Sequence, residues 1–379
     1  MLPSLSPDEE RHSRAAEAVI RERLVAAGGW LSFEQFMEWA LYAPGLGYYS
    51  AGSVKIGAGG DFVTAPEVSD LFSRCVARQC ADVLAETGGD ILELGAGTGR
   101  MAATILESLA ALGILPERYA ILEVSADLAD RQRTRLQQLP AQLRERVIWL
   151  DRLPETPVRG VLLANEVLDA LPFKRFTVRG DSVHEQGVGL EGDSFVWRER
   201  AMDLRGEPPE LPFALPQGYT SEICLRVEPW ITSVSQCLER GMLLLFDYGL
   251  PRAHYYHPQR GDGTLRCYFK QRAHDDPFTN IAVQDITAWV DFTRVAEAAL
   301  NCDLEVAGFA TQAAFLLGTG IEALIAAPND VADRARLASE ARRLLLPGEM
   351  GESFKAMALC RNLQQPLRGF AHQDLRRSL

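Results

Sequence analysis

Asp90-Ile-Leu-Glu93-Leu-Gly95-Ala-Gly97-Thr-Gly99-Arg100 is the stretch on which the reading of this 379-residue chain turns. Ile91 to Leu94 has the make-up of a buried strand, three glycines turn the chain, and Met101 to Leu112 then reads as a helix. Glycines let a backbone approach a ligand closely, and a helix N-terminus is an electropositive end. Downstream, strands are expected at Tyr119 to Val124, Val147 to Leu150, Val161 to Ala164 and Met242 to Phe246, with helices near 128–139 and 230–239. Strands alternating with helices imply a parallel sheet covered on both faces, hence the α/β class.

Upstream of the loop the pattern is helical. A helix is expected over 8–27, with Ser6 or Asp8 near its start and Gly28-Gly29 stopping it. Ser32-Phe-Glu-Gln35 is a capping box for a helix to about Leu41, and Thr64-Ala-Pro-Glu67 another for a long helix to Thr87. Ala43 to Tyr49 and Gly57 to Gly60 form a glycine-rich loop between them. Lys174 to Arg200 alternates like antiparallel hairpins, Pro251 to Asn280 reads as a polar loop over the site, and Asp285 to Ala299 and Asp330 to Leu346 read as helices. This predicts an N-terminal extension over 1–88 and a core over 89–379, with insertions at about 173–222 and 250–284.

Two cofactors use a glycine loop of this kind. A dinucleotide site wants G-x-G-x-x-G, and its third glycine would fall on Arg100. The spacing found is G-x-G-x-G, over Gly95, Ala96, Gly97 and Gly99, preceded by Glu93. An acid beside two phosphates would be repelled, whereas it suits the cationic amino group of S-adenosyl-L-methionine. Glu123, with Val124 after it, ends the second strand, where a carboxylate takes both ribose hydroxyls as donors. Asp151 ends the third strand and is placed to accept from an adenine amino group.

The fourth strand runs into Asn165-Glu-Val-Leu-Asp169-Ala-Leu-Pro172. In open α/β sheets chemistry sits at this carboxyl edge. An Asn-Pro-Pro-aromatic sequence would point to methylation of bases or amides, but Glu-Val-Leu follows Asn165 here. Glu166 and Asp169 stand three apart and would face the same way on a helical turn. A planar guanidinium fits paired carboxylates, which would align its nitrogen and accept a proton. Tyr248, in Asp247-Tyr248-Gly249 after the fifth strand, is expected to wall the pocket or hydrogen-bond the substrate.

Composition narrows the function further. Net charge is −12, with no long basic run, which argues against a nucleic-acid partner. No apolar run approaches the roughly 20 residues that span a bilayer. The seven cysteines are scattered without a CxxC pair, and His254 and His257 find no third ligand at a metal-binding interval, so no metal site is expected. Early acids in MLPSLSPDEERHSR do not suit a transit peptide, so a cytoplasmic location is expected.

Six ordered motifs extend the reading: Gly45-Leu-Gly-Tyr-Tyr49, Gly60-Asp-Phe-Val-Thr-Ala-Pro-Glu67-Val-Ser69, Glu93 to Gly99, Asn165 to Pro172, Phe246-Asp-Tyr-Gly249 and Asp285-Ile-Thr-Ala-Trp-Val-Asp-Phe292. Together, over residues 10 to 360, they resemble the MidA-like methyltransferases. The resemblance implies a seven-stranded, mostly parallel Rossmann-like sheet and cofactor contacts at Gly95, Gly97, Glu123 and Asp151. It implies a loop over the cofactor with Asp61, Thr64 and Glu67 as contacts. It also implies a protein-arginine acceptor, which in the family's mitochondrial branch is a subunit of respiratory complex I. A small amine or carboxylate acceptor, or an assembly protein that binds the cofactor without turnover, are the rival expectations.

Overall fold

A computed structural model of the chain describes residues 2–51, 61, 63–202 and 214–379. Gly57 to Gly60 of the expected glycine-rich loop, Phe62, and residues 203–213 of the expected insertion lie outside the described residues. The chain divides into two compact units, one of residues 63–167, 228–249 and 292–379, the other of 1–62, 168–227 and 250–291. These units divide the chain differently from the expected boundary near residue 88, for reasons that lie in the two cores.

The first unit is built on strands β1 (Asp90–Leu94), β2 (Tyr119–Leu122), β3 (Val147–Leu150), β4 (Val158–Asn165), β5 (Leu238–Leu250), β6 (Glu305–Thr311) and β7 (Phe354–Arg361). Their order is β6-β7-β5-β4-β1-β2-β3, and the sheet counts an eighth strand, Val290–Asp291, where seven were expected. From β5 to β3 all neighbours are parallel, while β7 runs antiparallel to both β5 and β6. The parallel strands are apolar on both faces because both faces are covered: Ile91, Val161 and Met242 are buried, and so are Leu92, Leu162 and Leu243. Helix Asp70–Thr87 drives Phe72, Cys75, Val76 and Val83 into this core, so it belongs with the sheet although it precedes the glycine loop.

That helix also starts later than its sequence suggests. Thr64 makes no side-chain cap, and the short helix Ala65–Val68 ends at Ser69. Ser69 is extended and its hydroxyl accepts from the Leu71 amide (3.2 Å), so the chain breaks and restarts there.

The second unit gathers the N-terminal helices and both insertions around their own core, which includes Phe33, Phe36, Phe173, Val188, Phe195 and Ile286. Helices Pro7–Ala26 and Phe33–Tyr42 carry complete capping boxes at Ser6 and Ser32. The hairpins lie at Lys174–Arg179, Ser182–Glu191 and Ser194–Ala201, completed by Leu31–Ser32 and Thr220–Ile223 into a five-stranded sheet. The stretch expected as a loop over 251–280 contains helix Arg252–Tyr255 and strands Arg266–Phe269 and Arg272–His274.

Asp285 to Ala299 is not one helix. Asp285–Thr287 is a strand in register with Arg266–Phe269, and the helix runs only from Phe292 to Leu300. Packing overrides the helical spacing here: Ile286 and Ala288 alternate into the core while Asp285 and Thr287 take the opposite face. Trp289 and Phe292, expected on one helix face, accordingly belong to different units.

Candidate active site

In the sheet unit the parallel strands deliver their ends to one edge. β1 ends at Leu94 and the chain turns through Gly95, Gly97 and Gly99, all left-handed with φ of 71°, 52° and 77°. Gly99 caps helix Arg100–Ala111, and a Cβ on it would lie 3.2 Å from the backbone of Gln132. Side chains rarely adopt such φ values, so the turn is specific to glycine. Ala96, between the first two glycines, is buried in the core.

Glu93 is 1% exposed and accepts a hydrogen bond from the Tyr119 hydroxyl (2.7 Å). Burial pushes its carboxyl up to about 7, Glu123 adds to the rise, and the Tyr119 hydrogen bond opposes it. Glu123, one residue past β2, accepts from the Ser125 amide and from the Gln132 side chain, both at 2.9 Å. The same Gln132 amide nitrogen donates to the Gly97 carbonyl (2.9 Å), and its oxygen accepts from the Trp149 indole (3.1 Å). Gln132 thus ties the glycine turn to the strand-tip acid. Sequence reading missed it, although a glutamine between Leu128 and Leu136 on a buried helical stripe was the available signal. Val124, beside Glu123, is 79% exposed, an apolar shelf at the same strand tip. Asp151, just after β3, is exposed.

Arg100, the residue in place of a third dinucleotide glycine, has local partners. It donates to the Glu67 carbonyl (2.8 Å) and to Asp70 (2.9 Å), and the Thr98 hydroxyl donates to the Glu67 carboxylate. Glu67 is therefore fastened to the glycine turn, and Arg100 is engaged rather than held ready for a phosphate. Thr64, three residues earlier, is buried.

At the end of β4, Asn165 donates to the Glu166 carboxylate (3.1 Å), and the Glu166 amide donates to the Phe246 carbonyl (2.8 Å). The Asn165 side-chain oxygen is buried and has no hydrogen-bond partner among the described residues. Glu166 has φ 53°, a costly conformation for a residue with a Cβ. The expected helical turn over 165–169 is absent, because a left-handed residue cannot continue a right-handed helix. Glu166 and Asp169 therefore share no helix face, and Asp169 belongs to the other unit. Tyr248 is half-buried near the end of β5, its ring edge-on to Phe354 at 5.2 Å.

In the second unit three further acids collect among tyrosines. Asp61 accepts from the Tyr48 hydroxyl (2.8 Å) and the Lys270 amide (2.7 Å). Asp285 accepts from the Tyr49 hydroxyl and the Ile286 amide, both at 3.0 Å. Burial, then the charge of Asp169, pushes the Asp285 carboxyl up to about 8. Burial and the neighbouring acids raise the phenols of Tyr42, Tyr48 and Tyr49 as well. Asp285 was hidden by the helical reading of its segment. Among the described residues no three His, Cys, Asp or Glu converge as a metal set, and no helix is long and apolar enough to cross a membrane.

The sheet-unit edge thus gathers a left-handed glycine turn, a strand-tip acid, an exposed apolar residue and a buried acid. Residues 75–310 match the model of a family of S-adenosyl-L-methionine-dependent methyltransferases. A superfamily member from Burkholderia thailandensis, in a crystal structure bound to S-adenosyl-homocysteine, is 39% identical with a TM-score of 0.94, and each chain covers 100% of the other. The mitochondrial protein arginine methyltransferase NDUFAF7 of Danio rerio is 28% identical, across 87% of this chain and 83% of its own length. Its Caenorhabditis elegans homolog is 27% identical, across 88% and 84%.

Proposed function

We propose, on the premise that this chain belongs to the MidA-like family of S-adenosyl-L-methionine-dependent methyltransferases, that its acceptor is an arginine side chain of a protein. The donor supplies an electrophilic methyl group on a sulfonium, and the chain's own residues bind and orient. Gly95, Ala96, Gly97 and Gly99 give a backbone cradle. Glu123 takes the ribose hydroxyls, Val124 and Asp151 serve the adenine, and Glu93 answers the methionyl ammonium. Thr64 and Glu67 shape the cradle from the preceding segment, and Asp61 belongs to the acid cluster instead.

Glu166 is assigned to the acceptor, with Asn165 orienting it and Tyr248 forming a wall. Carboxylates hold a guanidinium in fixed orientation and take up the proton that the attacking nitrogen sheds. The observation that carries this reading is Glu166 on a left-handed backbone at the carboxyl edge of the parallel strands. Strain of this kind concentrates where a side chain must be aimed. The relatives named protein arginine methyltransferases support the acceptor class.

The test is transfer of labelled methyl from S-adenosyl-L-methionine into proteins of a bacterial extract. Glu166→Gln is expected to lower incorporation by about a hundredfold or more, the usual weight of a positioned acid–base group. S-adenosyl-homocysteine binding should stay within about twofold, since the substitution spares the cradle. Undiminished transfer by this variant would remove Glu166 from the chemistry.

A further inference from the structure

The acids of the second unit raise a question the donor site does not answer. Asp285, Asp169 and Asp61 act on one another and on three tyrosines, yet among the described residues no metal set forms there. Asp285 is 3% exposed and its Oδ1 is held by the Tyr49 hydroxyl and the Ile286 amide. The rings of Tyr42 and Tyr49 stack at 5.4 Å beside it and are half-buried.

The second, independent observation is Thr287. Its hydroxyl is buried, with the residue 2% exposed, and has no hydrogen-bond partner among the described residues. Leaving such a group unmade carries a real cost in free energy. Strand alternation puts Thr287 on the same face as Asp285, because Ile286 and Ala288 point into the apolar core. The strand is fastened beside Asp169, whose carbonyl accepts from the Ala288 amide (3.3 Å). A buried hydroxyl without a partner, on the face of a buried acid and next to a second acid, is what an absent donor-rich cation would satisfy.

We propose that Asp285, Asp169 and Thr287, beside the Tyr42–Tyr49 stack, form a seat for an arginine guanidinium of the protein substrate. A guanidinium offers five N–H donors in a plane, enough to serve two carboxyls and a hydroxyl at once, while its flat face suits aromatic rings. A point-like ammonium carries three donors and no face. The proposal rests on the arginine-acceptor reading and adds to it the residues that select the side chain. The groups acting on Asp285 include Asp169, Asp61, the phenols of Tyr42, Tyr48 and Tyr49 and the Cys267 thiol, with Tyr268 opposite it on the paired strand and the Lys270 charge acting on Asp61. A cation entering among them draws the Asp285 proton off, so binding near neutral pH releases protons to the buffer.

The experiment is calorimetric titration of the full chain with methylguanidinium, then with methylammonium, in two buffers of different ionisation enthalpy. Wild type should bind methylguanidinium with proton release and bind methylammonium more weakly. Asp285→Asn, which replaces a buried acid by a neutral isostere, should weaken methylguanidinium about tenfold or more and abolish the proton release, as expected for loss of a charge-assisted hydrogen bond. Thr287→Val should weaken it about threefold with proton release kept, the scale of one neutral hydrogen bond. S-adenosyl-homocysteine binding by each variant reports that the chain is folded and the donor site intact. Equal methylguanidinium binding by wild type and Asp285→Asn, or no preference over methylammonium, would overturn the proposal. If the seat binds guanidinium as described while labelled methyl from the donor never reaches arginine, the arginine-acceptor reading fails and takes the acceptor assignment with it.

Discussion

The two units hold most of their polar groups by different means, although Glu93 beside Tyr119 is a buried acid of the sheet unit like those of the other. In the sheet unit the backbone does the work: three left-handed glycines shape the turn, a strained Glu166 ends β4, and Gln132 fixes one turn to one strand tip. In the other unit side chains do it, with acids set among tyrosine hydroxyls and their charged forms disfavoured by burial. The first arrangement suits a ligand with fixed shape and many polar atoms. The second suits a ligand whose defining property is positive charge.

If this division is right, substitutions should separate transfer, donor binding and stability. The largest effect is expected from Glu166→Gln on transfer, as described above. Next comes Gly99→Val, which forces a β-branched residue into a left-handed position beside Gln132. The free turn relaxes to escape strain of about 1–3 kcal/mol, which binding must restore, so S-adenosyl-homocysteine should bind about five- to 150-fold more weakly. Methylguanidinium binding should not change, and calorimetry with both ligands reads the separation. A parallel loss of both affinities would break the comparison.

Gln132→Leu sharpens it. The substitution removes the donor to the Gly97 carbonyl and to Glu123, and strands the Trp149 indole. At about 0.7 kcal/mol for each of the two bonds that hold the Gly97 carbonyl and Glu123, S-adenosyl-homocysteine affinity should fall about tenfold. An unaltered affinity would mean that Glu123 needs no positioning.

The sheet core was legible because its signals are local. Glycines at G-x-G-x-G spacing, an acid before them, and apolar runs of strand length are properties of short segments. The capping box at Ser32 was legible for the same reason, and Ser6 was one of two expected starts of the first helix. What could not be read was long-range. Ser69 interrupts a helix through its own hydroxyl, in competition with Thr64 five residues earlier. Asp285 sits on a strand because Ile286 and Ala288 find a core assembled from the N-terminal helices and the hairpins. The unit boundaries were hidden likewise, since three separated stretches of chain share that core.

A further effect is on stability against pH. Asp285 rises from its ordinary 3.8 to about 8 on folding, and Glu93 from 4.5 to about 7. Between those values the folded chain binds more protons than the unfolded one. Each group's contribution is therefore full below its ordinary value and is lost as pH rises through the folded one. Asp285→Asn should flatten the decline in denaturation midpoint between about pH 4 and 8, and Glu93→Gln should flatten it mainly below about pH 7. A midpoint that falls as steeply in Asp285→Asn as in wild type would mean that Asp285 stays ionised in the folded chain.

The most direct measurement is to map the methyl group itself. The full chain, labelled S-adenosyl-L-methionine and a bacterial extract are incubated, and labelled proteins are digested and sequenced by mass spectrometry. The account predicts label on a guanidinium nitrogen of arginine, in few proteins, and its loss with Glu166→Gln. Label confined to small molecules or to lysine, or none at all from a chain that binds S-adenosyl-homocysteine, would contradict it.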